Sequence, residues 1–186
     1  AREPGVASGV DVFARVFELT DPACSVEVLA ASGGRFAAGH VLARMSGPAR
    51  SVLRAERVAL NLVQRMCGIA TTTARYVERV EGTRARIADT RKTAPGLRVL
   101  DRRAVRDGGG RNHRGSLSDA VLVKDNHLAV LAAQGIGIGD AIRDARARLG
   151  HTIHLEVEVD RLDQVEEVVA AGVDTIMLDN FTPDEL

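Results

Sequence analysis

The sequence predicts an α/β protein: a parallel sheet with helices packed outside it. From residue 85 onward, short apolar runs alternate with helix-like stretches in units of roughly 25–35 residues. Each apolar run is also associated with charge towards its C-terminal end. The length of 186 residues suits one large domain or two small ones.

Taken in order, residues 12–19 (VFARVFEL) have the apolar spacing of a short helix. Residues 35–45 alternate loosely between Gly33, Gly34, Gly39 and Gly47, the pattern of short strands and turns. Residues 51–66 predict a long helix with Leu53, Val58, Leu62 and Met66 near one face. Residues 70–82 predict a second helix, with Thr71 or Thr72 as its N-cap and Gly82 as its stop. A strand is then expected over 85–90, followed by a helix over 94–107 with Pro95 in its first turn. Strands over 120–124, 153–159 and 175–179 alternate with a helix inside 137–150 and another over 162–172. The last helix would turn Leu162, Val165, Val168 and Val169 inward.

The charge at the strand ends decides between architectures. Asp89, Thr90, Arg91 and Lys92 follow the first strand, Lys124 ends the second, Glu156 and Glu158 lie in the third, and Asp179 ends the fourth. In a parallel barrel such ends converge on one face, whereas in an open sheet they spread along a crevice. Charges drawn from four strands favour the barrel. The bland alternative is that strand ends are polar because loops are polar.

Arg91, Lys92, His113, Arg114 and Lys124 suit a ligand with several negative charges, since arginine grips carboxylate or phosphate through two parallel hydrogen bonds. Glu158 and Asp179 suit hydroxyls or a divalent cation such as Mg²⁺, which favours one or two carboxylates plus substrate phosphates. Glu156 shares a strand face with Glu158 and is read equally well as structural. The glycines of "DGGGRNHR" do not form a phosphate-loop motif; they are read as ending a helix and turning the chain so that His113 and Arg114 point inward. Asn126 and His127 would brace Lys124, while His40, His151 and His154 have no supporting context.

The bulk composition is that of an ordinary globular protein, 45% apolar and 27% charged with zero formal net charge. No global field draws it to nucleic acid or membrane, so anion binding must come from a local cluster. Two cysteines, Cys24 and Cys67, are too few for a disulfide framework, and no zinc-site spacing is present. A cytoplasmic location is therefore expected. Cys67 reads as a small buried residue. No signal peptide or membrane-length apolar run is visible. The chain opens without Met, in mid-pattern, and ends soon after a strand-like run, as expected of an internal piece of a longer protein.

Five blocks together resemble the quinolinate phosphoribosyltransferase family: "AERVALNLVQRMCGIATTT", "DTRKTAPGLR", "GGGRNHRGSLSDAVLVKDNH", "EVEVD" and "IMLDNF". The resemblance runs over residues 1–186. It implies part of an N-terminal α/β sandwich with a connecting helix over 1–68, and part of an incomplete α/β barrel over 69–186. It also implies a homodimer with shared sites, acting on quinolinate and 5-phosphoribosyl 1-diphosphate with Mg²⁺. The products would be nicotinate mononucleotide, diphosphate and CO₂, in NAD biosynthesis. By similarity, Arg91, His113, Arg114 and Lys124 would hold the quinolinate carboxylates, and Arg57 would reach the partner's site. Lys92 would face the phosphoribosyl diphosphate, Thr90 would add a hydrogen bond, and Glu158 and Asp179 would hold ribose hydroxyls and metal. Lys124, Glu158 and Asp179 stand as the catalytic candidates.

The sequence departs from the family in coverage: a segment before Ala1 and the final barrel strands, with glycine-rich loops for the 5-phosphate, have no counterpart. Cys67 also replaces a serine found in many relatives. Three rival readings keep the fold: a Schiff-base lyase using Lys124, a paralogue acting on another base, and a non-catalytic domain. The first would trap a carbonyl substrate on borohydride reduction. The last would be expected to have lost some of the charged residues, and all are present. Missing strands leave an unpaired sheet edge. The 186-residue chain alone is therefore expected to be inactive and poorly soluble, as a turnover assay on it would test.

Overall fold

Small side chains set the helix packing of the N-terminal half. In the computed structural model, which describes residues 1–186, the chain divides into two units, Ala1–His113 and Arg114–Leu186. The first contains β1 (Gly5–Val6), α1 (Val10–Thr20), β2 (Ser25–Val28), β3 (Arg35–Phe36), β4 (Ala43–Ser46), α2 (Ala49–Arg79) and α3 (Arg98–Asp107). β1 pairs with β3 and β2 with β4, both antiparallel. Ala55 and Ala59 of α2 are buried beside Phe17 and Cys24, so α1 seats closely on the longer helix. The Phe13 and Phe17 rings stack at a tilt, 5.0 Å apart.

α2 corrects the expectation of two helices over 51–66 and 70–82. It runs unbroken for 31 residues, about 46 Å at 1.5 Å per residue. Gly68 weakens a helix by only about 1 kcal/mol relative to alanine, and tertiary burial of Met66, Ala70, Thr73 and Ala74 outweighs that. Thr71 is thus no N-cap; its Oγ1 accepts the Val6 N–H at 2.9 Å and ties β1 to the helix. The inward face also differs. Leu53 and Val58 are exposed, and the alanines and Met66 form the buried stripe.

Two further expectations are corrected. Residues 85–90 form no strand ladder: only Ala88 makes a parallel bridge, to Arg111. Arg84, Ala85 and Arg86 are exposed, so little apolar surface exists there to bury in a sheet. α3 starts at Arg98, because Gly96 has φ +75°, outside the right-handed helical region. Ala94–Leu97 closes a turn instead, with the Leu97 N–H donating to the Ala94 carbonyl at 3.1 Å.

The second unit contains β5 (Ala120–Val123), α4 (Asp125–Ala133), α5 (Ile138–Arg148), β6 (His154–Val159), α6 (Asp163–Ala170) and β7 (Thr175–Leu178). Its sheet is parallel, in the order β5-β6-β7. α4 had no counterpart in the sequence reading; it buries only Leu128, so its periodicity is faint. Leu155, Val157 and Val159 form one core with Leu128, Ile142 and Val168, which puts helices α4, α5 and α6 on one face of the sheet. In α6 the inward residues are Val168 and, partly, Val165; Leu162 and Val169 are exposed. At the N-terminal edge of the sheet, Arg146 pairs with Asp174 at 2.5 Å, and Asp174 accepts the Leu155 N–H at 2.7 Å. No helix is long and apolar enough to cross a membrane.

One ion pair joins α2 to α3. Arg65 donates twice to Asp101, at 2.7 and 2.6 Å, and Asp101 is buried. These bonds hold the Asp101 carboxyl below the ordinary carboxylate range; burial opposes them and the Ala94 N–H assists. A depressed folded-state pKa gives stability that is full above the unfolded value, about pH 4, and lost as pH falls through the folded one. Asp101→Asn is expected to cost about 2 kcal/mol at neutral pH, and to flatten the fall in melting temperature between about pH 5 and 3. Gly108→Ala is expected to destabilise by at least about 2 kcal/mol, since a Cβ there would lie 2.4 Å from the Ala70 carbonyl oxygen. Thermal melts followed by circular dichroism check both.

Candidate functional site

Strand periodicity delivers the charged side chains of the second unit to one place. Residues alternate faces along a strand. Leu155, Val157 and Val159 take the helix-covered face of β6, so Glu156 and Glu158 take the other. The register pairs Leu122 with Glu156 and Glu158 with Met177. Lys124 lies two residues beyond Leu122, and Asp179 two beyond Met177. All four charged residues therefore share the face without helices, and Lys124, Glu158 and Asp179 lie at its C-terminal end.

Lys124 Nζ sits 3.0 Å from Glu158 Oε2. The glutamate side chain is 10% exposed and the lysine 39%, so the pair is half-buried with one open side. Glu156, one step deeper, is buried. Asp179 donates its N–H to the Val159 carbonyl at 2.9 Å and accepts from Asn180 Nδ2 at 2.8 Å. Asn180 follows in the left-handed region at φ 62°, a conformation that asparagine tolerates better than most residues. His127 does brace Lys124: its Nδ1 accepts the Lys124 N–H at 3.0 Å, at the start of α4. No such bond is seen from Asn126, whose N–H turns to Asp125.

Thr90, Arg91, Lys92 and His113 come together in the first unit through backbone pairing. Arg111 donates to the Ile87 carbonyl at 2.8 Å, and Asp89 donates to the Arg111 carbonyl at 3.0 Å. Beyond that bridge the chain carries Thr90, whose Oγ1 accepts the Lys92 N–H at 3.1 Å. Thr90 and Lys92 are exposed. Arg91 is half-buried, and its Nε is buried without a hydrogen-bond partner. The preceding glycines lay this segment against α2. Gly108 and Gly110 approach Ala70 and Thr73 too closely for any Cβ, and Gly109 has φ +86°. Close approach to the helix is thus a second task of the glycine run, beside the turn.

Arg57 is exposed on α2. Arg114 donates to the Ala120 carbonyl at 3.1 Å. That contact lies at the start of β5, four residues and so about 13 Å from Lys124 at roughly 3.3 Å per residue. Cys67 exchanges weak hydrogen bonds with the Ser8 backbone at 3.4 and 3.3 Å. Burial pushes its thiol up, and Asp107 adds to that, as expected of an inert packing residue.

Sequence reasoning passed over three residues here. Asp89 was read only as one of the charges after a strand, Asn112 as part of a motif, and Arg102 not at all. Asp89 accepts from the His113 N–H at 2.7 Å and from Asn112 Nδ2 at 2.5 Å. Arg102 lies 3.6 Å from Asp89 and donates to the His113 carbonyl at 2.8 Å. No periodic signal marks such a contact between residues 89, 102 and 112.

Chemically, lysine and an arginine with an unspent donor suit anion binding, and the carboxylates of Glu158, buried, and Asp179, half-buried, suit hydroxyls. No group of three or more His, Cys, Asp or Glu side chains is placed to hold a metal. Two carboxylates remain a fitting donor set for an Mg²⁺ that arrives with phosphate ligands of its own.

The family model for the N-terminal domain of quinolinate phosphoribosyl transferase matches residues 1–67, and that for its C-terminal domain matches residues 69–186. A probable nicotinate-nucleotide pyrophosphorylase [carboxylating] of Synechocystis is 45% identical over 100% of the chain and 62% of its own length. The nicotinate-nucleotide pyrophosphorylase [carboxylating] of Mycobacterium leprae is 46% identical over 97% and 62%. The crystal structure of NadC from Streptococcus pyogenes superposes with a TM-score of 0.89 at 46% identity, covering 99% of this chain and 64% of that one. The chain thus spans about three-fifths of the length of the curated relatives it matches. With both domain models matched in sequence along it, the chain belongs to the quinolinate phosphoribosyl transferase family.

Proposed function

We propose that the protein transfers the phosphoribosyl group of 5-phosphoribosyl 1-diphosphate to quinolinate and decarboxylates the product to nicotinate mononucleotide, in NAD biosynthesis. The observation that carries this is the placement of Lys124, Glu158 and Asp179 on one face and one end of a parallel sheet whose other face is covered by helices. Helices confined to one face suit an arc of an α/β barrel, and barrel active sites stand at the strands' C-terminal ends. On this reading residues 69–186 form part of the barrel and residues 1–68 part of the sandwich domain with its connecting helix. The enzyme is a cytoplasmic homodimer, and Arg57 on the exposed side of α2 enters the partner's site.

Quinolinate carries two carboxylates on a pyridine ring. Arg91, with its buried and unpaired Nε, supplies a donor for one of them. The family resemblance assigns His113, Arg114 and Lys124 to the same ligand. Lys92 and Thr90 face the phosphoribosyl diphosphate. As diphosphate departs, the ribose acquires oxocarbenium character, and Glu158 and Asp179 stabilise that charge while holding the hydroxyls. The pyridine nitrogen attacks the anomeric carbon as the bond to diphosphate breaks; the pyridinium charge then stabilises the electron pair left on C2 when the 2-carboxylate leaves as CO₂, and C2 takes up a proton from water to give the product. No covalent enzyme intermediate is required; positioning and electrostatics suffice. When bound, Mg²⁺ would neutralise diphosphate charge, and Glu158 and Asp179 are the residues to hold it.

The test is quinolinate-dependent release of diphosphate by the full-length protein. Arg91→Ala is expected to lower kcat/KM for quinolinate by about 100-fold, the scale of losing a charge-assisted contact to a desolvated anion. Glu158→Gln is expected to act on kcat by about 10-fold or more, as for a lost transition-state charge interaction. Absence of diphosphate release from the intact wild-type protein would refute the activity.

A further inference from the structure

We propose that Asp89 is a positioning residue for the quinolinate pocket: one buried carboxylate fixes the His113 peptide and the Thr90–Lys92 segment in a single register. The inference rests on the reading above, in which those two segments bind substrate.

The Asp89 side chain is 5% exposed. One oxygen accepts the His113 N–H at 2.7 Å and the other accepts Asn112 Nδ2 at 2.5 Å. Arg102 closes the arrangement. Its guanidinium lies 3.6 Å from Asp89 and donates to the His113 carbonyl at 2.8 Å. Asn112 Nδ2 also reaches the Arg102 carbonyl at 2.9 Å. The His113 peptide is therefore held at its N–H by Asp89 and at its carbonyl by Arg102. Asp89 is also bonded to Thr90 and, through it, to Arg91, so a shift of Asp89 moves both segments together. Buried charges of this kind persist where they are fully hydrogen-bonded, and a displacement near 1 Å is enough to misalign bound substrate.

Asp89→Asn tests this in the full-length protein. Asparagine keeps an acceptor for one neighbour, but it sets an amide donor against the other donor and removes the charge facing Arg102. KM and Kd for quinolinate, which both segments hold through Arg91 and His113, are expected to rise by about tenfold or more, and KM for 5-phosphoribosyl 1-diphosphate, which only the Thr90–Lys92 segment faces, by less than about a third of that factor. Asn112→Ala, a milder cut, should shift the same ratio in the same direction. Asp174→Asn, at the remote edge of the β5–β7 sheet, is the control for stability alone: its melting temperature should fall without that split. Asp89→Asn or, if it fails to fold, Asn112→Ala behaving like this control would overturn the proposal, as would equal loss for both substrates. Calorimetry on the wild type separates the two levels. A wild type that does not bind quinolinate removes the activity and this role together; a wild type that binds it, with unsplit variants, removes this role alone.

Discussion

Burial of one face of the β5–β6–β7 sheet under α4, α5 and α6 is the constraint on which the second unit depends. It fixes the face of every residue in the three strands, because strand side chains alternate with a period of two. The valines and leucines at 155, 157 and 159 satisfy it on one side. Glu156 and Glu158 fall on the other by necessity, with Lys124 and Asp179 in step with them through the register. The geometry of the candidate site is thus a by-product of packing, and no separate device is needed to gather its charges.

The same charges protect the packing. A slip of β6 by one residue would drive two carboxylates into the apolar core under the helices. That alternative would cost several kcal/mol per buried ion. Lys124 adds an attraction, at 3.0 Å from Glu158, that only the native register of β5 and β6 brings into range. A site on a rigid parallel sheet, locked by its own charge pattern, keeps its geometry better than one on loops.

These relations explain what was legible. Strands over 120–124, 153–159 and 175–179 could be read because an apolar run with charge at fixed parity is a local pattern. The candidate residues Lys124, Glu158 and Asp179 followed from charge at the C-terminal ends of those runs and from the family resemblance. What escaped was set by contacts distant in sequence. Residues 67–69 looked like a gap between two helices, yet Met66 and Ala70 are buried and carry α2 through it. Pro95 looked like a first helical turn, yet Gly96 at positive φ delays α3 to Arg98. Residues 85–90 looked like a strand, yet one bridge to Arg111 is all that forms. Asp89 gave no sign of its partners, because residues 102, 112 and 113 meet it only after the glycine run has folded back on α2.

Net charge adds a last step. With 25 basic and 25 acidic residues, the chain has no spare positive charge overall. Most of the well-placed arginines are already engaged: Arg65 with Asp101, Arg103 with Asp11, Arg146 with Asp174 and Arg102 with Asp89. Each of these pairs serves the fold, and each is locally neutral. An anion is therefore drawn to a position where packing brings a cation under cover without a matching carboxylate. Arg91 is such a position, half-buried with an unpaired Nε. On the proposed function, selectivity for a polyanionic ligand comes from which arginines the fold leaves unmatched, and the total number of them is beside the point.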